Sequence, residues 1–198
     1  MYKVHCMNNI AKAGTDRLGA NYELTDALED ADAIMVRSAS LHETQFPKGL
    51  LAIARAGAGV NNIPLDRCAD EGIVVFNTPG ANANAVKELV FAGLLLASRD
   101  IVGGIEWVRD NADDPDLAKH AEKAKKQFAG HELAGKRLGV IGLGAIGAAV
   151  ANTATRFGMQ AVGYDPYLSV SAAWNLDRRI EHADDLSRLV ADCDYIKI

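Results

Sequence analysis

Short apolar runs punctuate the chain, separated by stretches whose apolar positions recur at helical spacing. Residues 2–7 read as a strand, and 33–36, 51–54 and 73–76 are compact apolar runs of the kind that form buried strands. Between them, 10–18 suits a short helix, and Pro64 suits the first turn of a helix over 64–70 that Gly72 closes. A longer helix is expected from Asn82 or Asn84 to Ser98, with asparagine as its N-cap. Residues 100–104 interrupt the pattern and 105–111 form a second helix. The stretch 109–127, rich in charge and alanine, reads as a solvated helical excursion. After Gly130 the pattern restarts with a strand at 138–141, a glycine-rich turn, a helix over 145–157 ended by Gly158, and a strand at 161–164. A short strand at 178–181, a helix at 184–191 and a strand from Tyr195 follow. Strands alternating with helices predict an α/β fold of two doubly wound parallel-sheet units, divided into 1–99 and 100–198.

Composition narrows the class. The 198 residues are 49% hydrophobic and 24% charged, which is ordinary for a folded soluble protein. Lys+Arg 21 against Asp+Glu 26 gives a formal charge of −5, which argues against a nucleic-acid partner. The longest apolar run, 89–97, lies between Lys87-Glu88 and Arg99-Asp100. It falls short of the ~20 residues that span a bilayer, so no membrane partner is expected. The N-terminus lacks a signal-peptide apolar region. Cys6, Cys68 and Cys193 are scattered and read as reduced, core-filling thiols. The expectation is a cytoplasmic globular protein without a metal site.

The sharpest chemical signal is Gly142-Leu143-Gly144-Ala145-Ile146-Gly147, a G-x-G-x-x-G pattern between a predicted strand and a predicted helix. The first glycine permits the tight turn, the second lets the backbone approach a pyrophosphate, and the third allows close helix–strand packing. The helix N-terminus then offers free N–H groups and partial positive charge to phosphates. Asp165 lies 21 positions after Gly144, at the end of the next strand. Its carboxylate suits a ribose diol and repels a 2′-phosphate, so NAD is favoured over NADP.

In the front half, three features fall at the carboxyl ends of predicted strands, where open α/β sheets place ligands. Arg37-Ser38 supply a permanent cation with a planar donor fork and a hydroxyl. The amides of Gly57–Gly59 suit an anion-binding nest. Asn82, after the turn Asn77-Thr78-Pro79-Gly80, places an amide near a helix N-terminus. Alone, each has a plainer explanation: Arg37 as a surface ion-pair residue, Asn82 or Asn84 as an N-cap.

Together these segments resemble a known family. Val36-Arg-Ser38, Arg55-Ala-Gly-Ala-Gly-Val-Asn-Asn62, Phe76-Asn-Thr-Pro79, Gly139-Val-Ile-Gly-Leu-Gly-Ala-Ile-Gly147 and Gly163-Tyr-Asp-Pro166 are similar to segments of the D-isomer-specific 2-hydroxyacid dehydrogenases. The resemblance covers essentially the whole chain. It implies a substrate domain and a nucleotide domain with a cleft between them. It also implies NAD-dependent oxidation of 3-phospho-D-glycerate to 3-phosphohydroxypyruvate, in serine biosynthesis. By that resemblance Arg37 and Ser38 hold the substrate phosphate with Asn82 beside them, and the amides around Ala58 and Gly59 hold the carboxylate. Gly142, Gly144, Ala145 and Ile146 hold the pyrophosphate against Gly147, and Asp165, next to Pro166, holds the adenosine ribose. The partner is then a small phosphorylated hydroxy acid, and the full-length protein a homodimer.

The sequence also departs from the family pattern. Ala145 stands where the family often has arginine, and the charged stretch after Trp107 is longer than in many relatives. The family's catalytic His, Glu and Arg have no counterpart here: none of His5, His42, His120, His131 or His182 sits in a matching motif. They are expected beyond Ile198, because the chain stops inside the fourth strand of an incomplete NAD-binding domain. Two alternatives remain open: a dehydrogenase of another D-2-hydroxy acid such as glycerate or lactate, and a non-catalytic NAD-sensing protein akin to corepressors of this fold. Arg37-Ser38 argue for a phosphorylated substrate.

Overall fold

The computed structural model describes residues 1–198, which form two compact units, Met1–Asn82 and Ala83–Ile198. In the first unit, strands β1 (Tyr2–Cys6), β2 (Tyr22–Thr25), β3 (Ala33–Val36), β4 (Ala52–Arg55) and β5 (Val74–Phe76) form one parallel sheet in the order β2-β1-β3-β4-β5. The order reverses between β1 and β3, which is the topological switch point of a doubly wound sheet. The central strands are apolar because both faces are covered: Ile34, Val36 and Ile53 are fully buried with Leu41, Ile63, Cys68 and Ile73 around them. Helix α1 (Lys12–Thr15) is a single turn, shorter than the predicted 10–18, and α2 (Leu65–Asp70) follows Pro64 as expected. Cys6, Cys68 and Cys193 are all free, and only Cys68 is buried.

The edge strand β2 was not predicted. Its four residues are largely exposed, so no apolar run marks them. It is held by backbone pairing to β1, with the Tyr2 and Tyr22 rings 5.9 Å apart.

The second unit opens with three helices: α3 (Ala83–Ser98), α4 (Ile101–Asp110) and α5 (Leu117–Ala124). Then come β6 (Arg137–Ile141), α6 (Ala145–Arg156), β7 (Gln160–Tyr164), α7 (Val170–Ala173), β8 (Glu181–His182), α8 (Leu186–Asp192) and β9 (Tyr195–Lys197). The strands are parallel in the order β8-β7-β6-β9, so the switch point lies between β6 and β9. Val150, Ala151 and Ala154 of α6 pack with Leu138, Val140 and Ala161 of the sheet in one buried core. No helix is long and apolar enough to cross a membrane.

Two expectations shift here. The units divide at 82/83, not at 99/100, because α3 belongs with the second core: Phe91 is buried there and stacks on Phe157 at 4.7 Å. Helix α4 begins at Ile101 rather than 105, because Asp100 caps it by accepting a hydrogen bond from the Gly103 amide at 3.0 Å. The charged excursion is helical, as predicted, but it is tethered. Ala124 is buried, and the Trp107 and Phe128 rings lie 6.4 Å apart.

The β7–β8 connection, in which β8 starts at Glu181 rather than 178, is tied to α6 by Asp177. Its amide donates to Asn152 Oδ1 at 2.7 Å, and its carboxylate accepts from Arg179 Nη2 at 2.8 Å and from the Thr155 hydroxyl at 3.4 Å. The Arg179 guanidinium, then the Arg179 amide, hold the Asp177 carboxyl far below the usual carboxylate range. A carboxyl depressed in the fold stabilises it above the unfolded value near ~4, and that contribution fades as pH falls through the depressed folded value. Asp177→Asn is therefore expected to lower Tm at pH 7, with the gap to the parent starting to narrow below about pH 4 and closing only as pH nears the depressed folded value. Melting curves from pH 7 to 3 check this; a gap constant across the range would show that the charge is not what matters.

Candidate functional site

Strand β6 ends at Ile141, and the chain turns at Gly142 with φ +83°, a conformation L side chains rarely adopt. The Gly142 amide donates to the Tyr164 carbonyl at 2.9 Å, which ties the turn to the end of β7. Gly144 is the N-cap of α6 and no side chain caps that helix. Its first-turn amides, including Ala145 and Ile146, thus lack intrahelical acceptors and present the positive end of the helix dipole. A Cβ on Gly144 would meet nothing within 4 Å, so the space over this turn is open. A Cβ on Gly147 would overlap the Gly142 carbonyl oxygen and lie 3.2 Å from Val140 Cγ1, so this glycine sets how closely α6 approaches β6.

Asp165 follows directly on β7. One carboxylate oxygen accepts from the Leu143 amide at 2.8 Å, the other from the Tyr167 amide at 2.9 Å. The acid is thereby fixed against the glycine turn, and each oxygen keeps a further lone pair for a ribose hydroxyl. Pro166 is exposed beside it. Leu143, 4% exposed, fits over Gly163, where a Cβ would stand 2.7 Å from its Cδ1. An open glycine turn, uncapped helix amides and an anchored acid on the adjacent strand fit an adenine dinucleotide.

In the first unit the predicted anion residues share the carboxyl edge of one sheet. Arg37 and Ser38 follow β3, Ala58 and Gly59 follow β4, and Asn82 lies after β5, just before α3. Arg37, Ser38, Ala58, Gly59 and Asn82 are all exposed. The expected nest over Gly57–Gly59 is not formed. The Gly57 amide bonds the Arg55 carbonyl at 2.9 Å, and none of these glycines has positive φ, which an αR–αL nest requires. The amides of Ala58 and Gly59 are what remains of that expectation.

Three further residues have a part in this edge: Asn8, which the sequence reading missed, and Arg55 and Asn77, which stood in quoted motifs without an assigned role. Asn8, just past β1, accepts hydrogen bonds at its Oδ1 from the amides of Arg37, Ser38 and Ala39 at 2.9, 3.0 and 3.1 Å. Arg55, at the end of β4 and in register with Val36, donates from Nε to the Arg37 carbonyl at 3.1 Å. Its guanidinium folds back over Gly57, where a Cβ would overlap it. Asn77 donates to the Ala58 carbonyl at 2.7 Å and holds that loop. Neither Arg37 nor Arg55 takes part in an ion pair. Two arginines without ion-pair partners thus stand at neighbouring strand ends. The strand ending before Asn8 is the only signal that marked its position.

None of the histidine hydrogen bonds or ion pairs involves the glycine turn. His5 Nδ1 bonds the Thr25 carbonyl at 3.1 Å, His120 pairs with Asp114, and His182 pairs with Asp184 at 3.1 Å. The His120 ring and the Asp116 amide hold the Asp114 carboxyl below its ordinary range.

The parallel sheet with its glycine turn and acid defines a dinucleotide-binding unit of a dehydrogenase. The family model described as "D-isomer specific 2-hydroxyacid dehydrogenase, NAD binding domain" matches residues 91–198, so the chain belongs to that family and this part of it is an NAD-binding domain. The chain is 36% identical over 179 residues to a D-3-phosphoglycerate dehydrogenase of Methanocaldococcus jannaschii, covering 89% of this chain and 32% of that protein. It is also 36% identical over 179 residues to a hydroxypyruvate reductase of Thermotoga maritima, covering 89% of this chain and 53% of that one. The chain thus spans about a third of the length of the phosphoglycerate dehydrogenase it matches. The solved structure of an NAD+-bound 3-phosphoglycerate dehydrogenase of Entamoeba histolytica shares the fold, with TM-score 0.70 and 24% identity over 98% of this chain and 61% of that one.

Proposed function

We propose that Gly142, Gly144, Ala145, Ile146, Gly147, Asp165 and Pro166 hold NAD, and that Arg37, Ser38, Ala58, Gly59 and Asn82, joined by Arg55, hold a phosphorylated 2-hydroxy acid. On this reading Met1–Asn82 is the substrate unit, and the reaction served is oxidation of 3-phospho-D-glycerate to 3-phosphohydroxypyruvate, in serine biosynthesis. NAD supplies the acceptor for the hydride leaving the substrate carbon. The chain's own residues bind and orient. The α6 amides take the pyrophosphate, and Asp165 takes the ribose diol and discriminates against a 2′-phosphate. Arg37 and Arg55 take the substrate phosphate, with Ser38 donating its hydroxyl, and the Ala58 and Gly59 amides take its carboxylate.

The observation that carries the substrate assignment is the pair of arginines without ion-pair partners at adjacent strand ends. A substrate lacking phosphate leaves those charges unused. The reductase-like relative supports a second reading, reduction of unphosphorylated hydroxypyruvate. Turnover by the full-length protein with NADH decides between them. Catalytic efficiency for 3-phosphohydroxypyruvate is expected to exceed that for hydroxypyruvate by about a hundredfold, the worth of one or two charge-assisted contacts. Equal efficiencies would assign the second reading.

We also propose a homodimer formed through α3 and α4. What supports it is the exposure of Leu89, Leu96, Val102, Ile105 and Val108, each about half or more, on these two helices.

A further inference from the structure

The amides of the turn that carries Arg37 and Ser38 share a single acceptor. Three consecutive amides converge on Asn8 Oδ1, and Ala39 is braced on its other side by Asn62, whose Nδ2 donates to the Ala39 carbonyl at 2.8 Å. Asn8 reaches this turn because β1 and β3 are neighbours at the switch point: the ladder runs to the Met7 amide, which bonds the Met35 carbonyl at 2.9 Å, and Asn8 comes next. Three amides aimed at one point form a concavity suited to an anion. Here an internal oxygen fills it. A carboxylate accepts such hydrogen bonds more strongly than an amide, since charge assistance roughly doubles their strength. The residue in place is nevertheless the neutral one, beside two cations that have no counter-ion in the protein.

We infer that Asn8 is a positioning residue that fixes the Arg37–Ser38 turn and, by being neutral, leaves the charge of Arg37 and Arg55 available to an anionic ligand. This rests on the reading of that edge as an anion site. Aspartate in its place keeps the three acceptor bonds but puts a negative charge at the base of the site. That charge compensates the arginines and repels a phosphate. Alanine keeps neutrality but releases the turn.

The two roles separate in a titration of the full chain with inorganic phosphate at low ionic strength, read by calorimetry, with Tm measured alongside. Asn8→Asp is expected to melt within a few degrees of the parent yet bind phosphate at least about tenfold more weakly. That deficit is expected to shrink as salt is raised. Asn8→Ala is expected to melt lower and also bind more weakly. If Asn8→Asp binds phosphate as the parent does, or fails to fold, the inference is overturned while the anion site stands. Unchanged melting and binding in Asn8→Ala would overturn the positioning role. If the parent chain binds no phosphate, the anion site itself falls, and the inference with it.

Discussion

Gly144→Ala is expected to fold and melt like the parent chain while binding NAD about a hundredfold more weakly, a loss of ~2.7 kcal/mol. Gly144 has φ −66° and ψ −168°, extended backbone that alanine adopts without strain, and a Cβ there meets nothing in the protein. The methyl group stands instead in the open space over the α6 amides, where the backbone must approach a pyrophosphate closely. Gly147→Ala makes the opposite case. Its Cβ would overlap the Gly142 carbonyl oxygen and crowd Val140, so α6 must move away from β6. That costs ~1–3 kcal/mol of overpacking and displaces the same amides, so Tm and NAD affinity are expected to fall together. Thermal melting and NAD titration of the two variants check this. Parent-like NAD affinity in Gly144→Ala would remove the glycine turn from the cofactor site.

The contrast shows which properties the sequence carries locally. Gly142 to Gly147 with Asp165 could be read from spacing because each part acts on its neighbours in the chain, or on a strand one crossover away. The apolar runs at β3 and β6 were equally plain, since Ile34, Val36, Leu138 and Val140 are fully buried. Asn8 was not legible, because its function arises from β1 lying beside β3, which no periodicity encodes. Arg55 sat in a quoted motif, but its approach to the Arg37 carbonyl depends on strand register. The domain boundary moved because the apolar residues of α3 fix that it is a helix, while tertiary packing, with Phe91 on Phe157 and Val90 and Leu94 against the same core, decides which core it joins. Gly103-Gly104 looked like a break because glycine weakens a helix, yet the Asp100 cap carries α4 through them.

Arg37→Ala is expected to weaken binding of a phosphorylated substrate tenfold to a hundredfold, by the ~1.5–3 kcal/mol that a hydrogen bond to a charged group contributes. Stability is expected to change by no more than ~0.5 kcal/mol, because Arg37 is exposed and pairs with no carboxylate. Arg55→Ala differs: it also removes the 3.1 Å hydrogen bond to the Arg37 carbonyl, so both binding and Tm are expected to fall. Arg37→Lys keeps the charge and loses the planar donor fork, which places it between the parent and Arg37→Ala. In full-length protein the loss is expected in KM for 3-phosphohydroxypyruvate more than in kcat, since the phosphate lies away from the reacting carbon. If both arginines grip one phosphate, the double variant loses a different amount than the two single losses sum to, because each acts on a ligand the other has already positioned. Strict additivity would place them on separate groups of the substrate, one on the phosphate and one on the carboxylate.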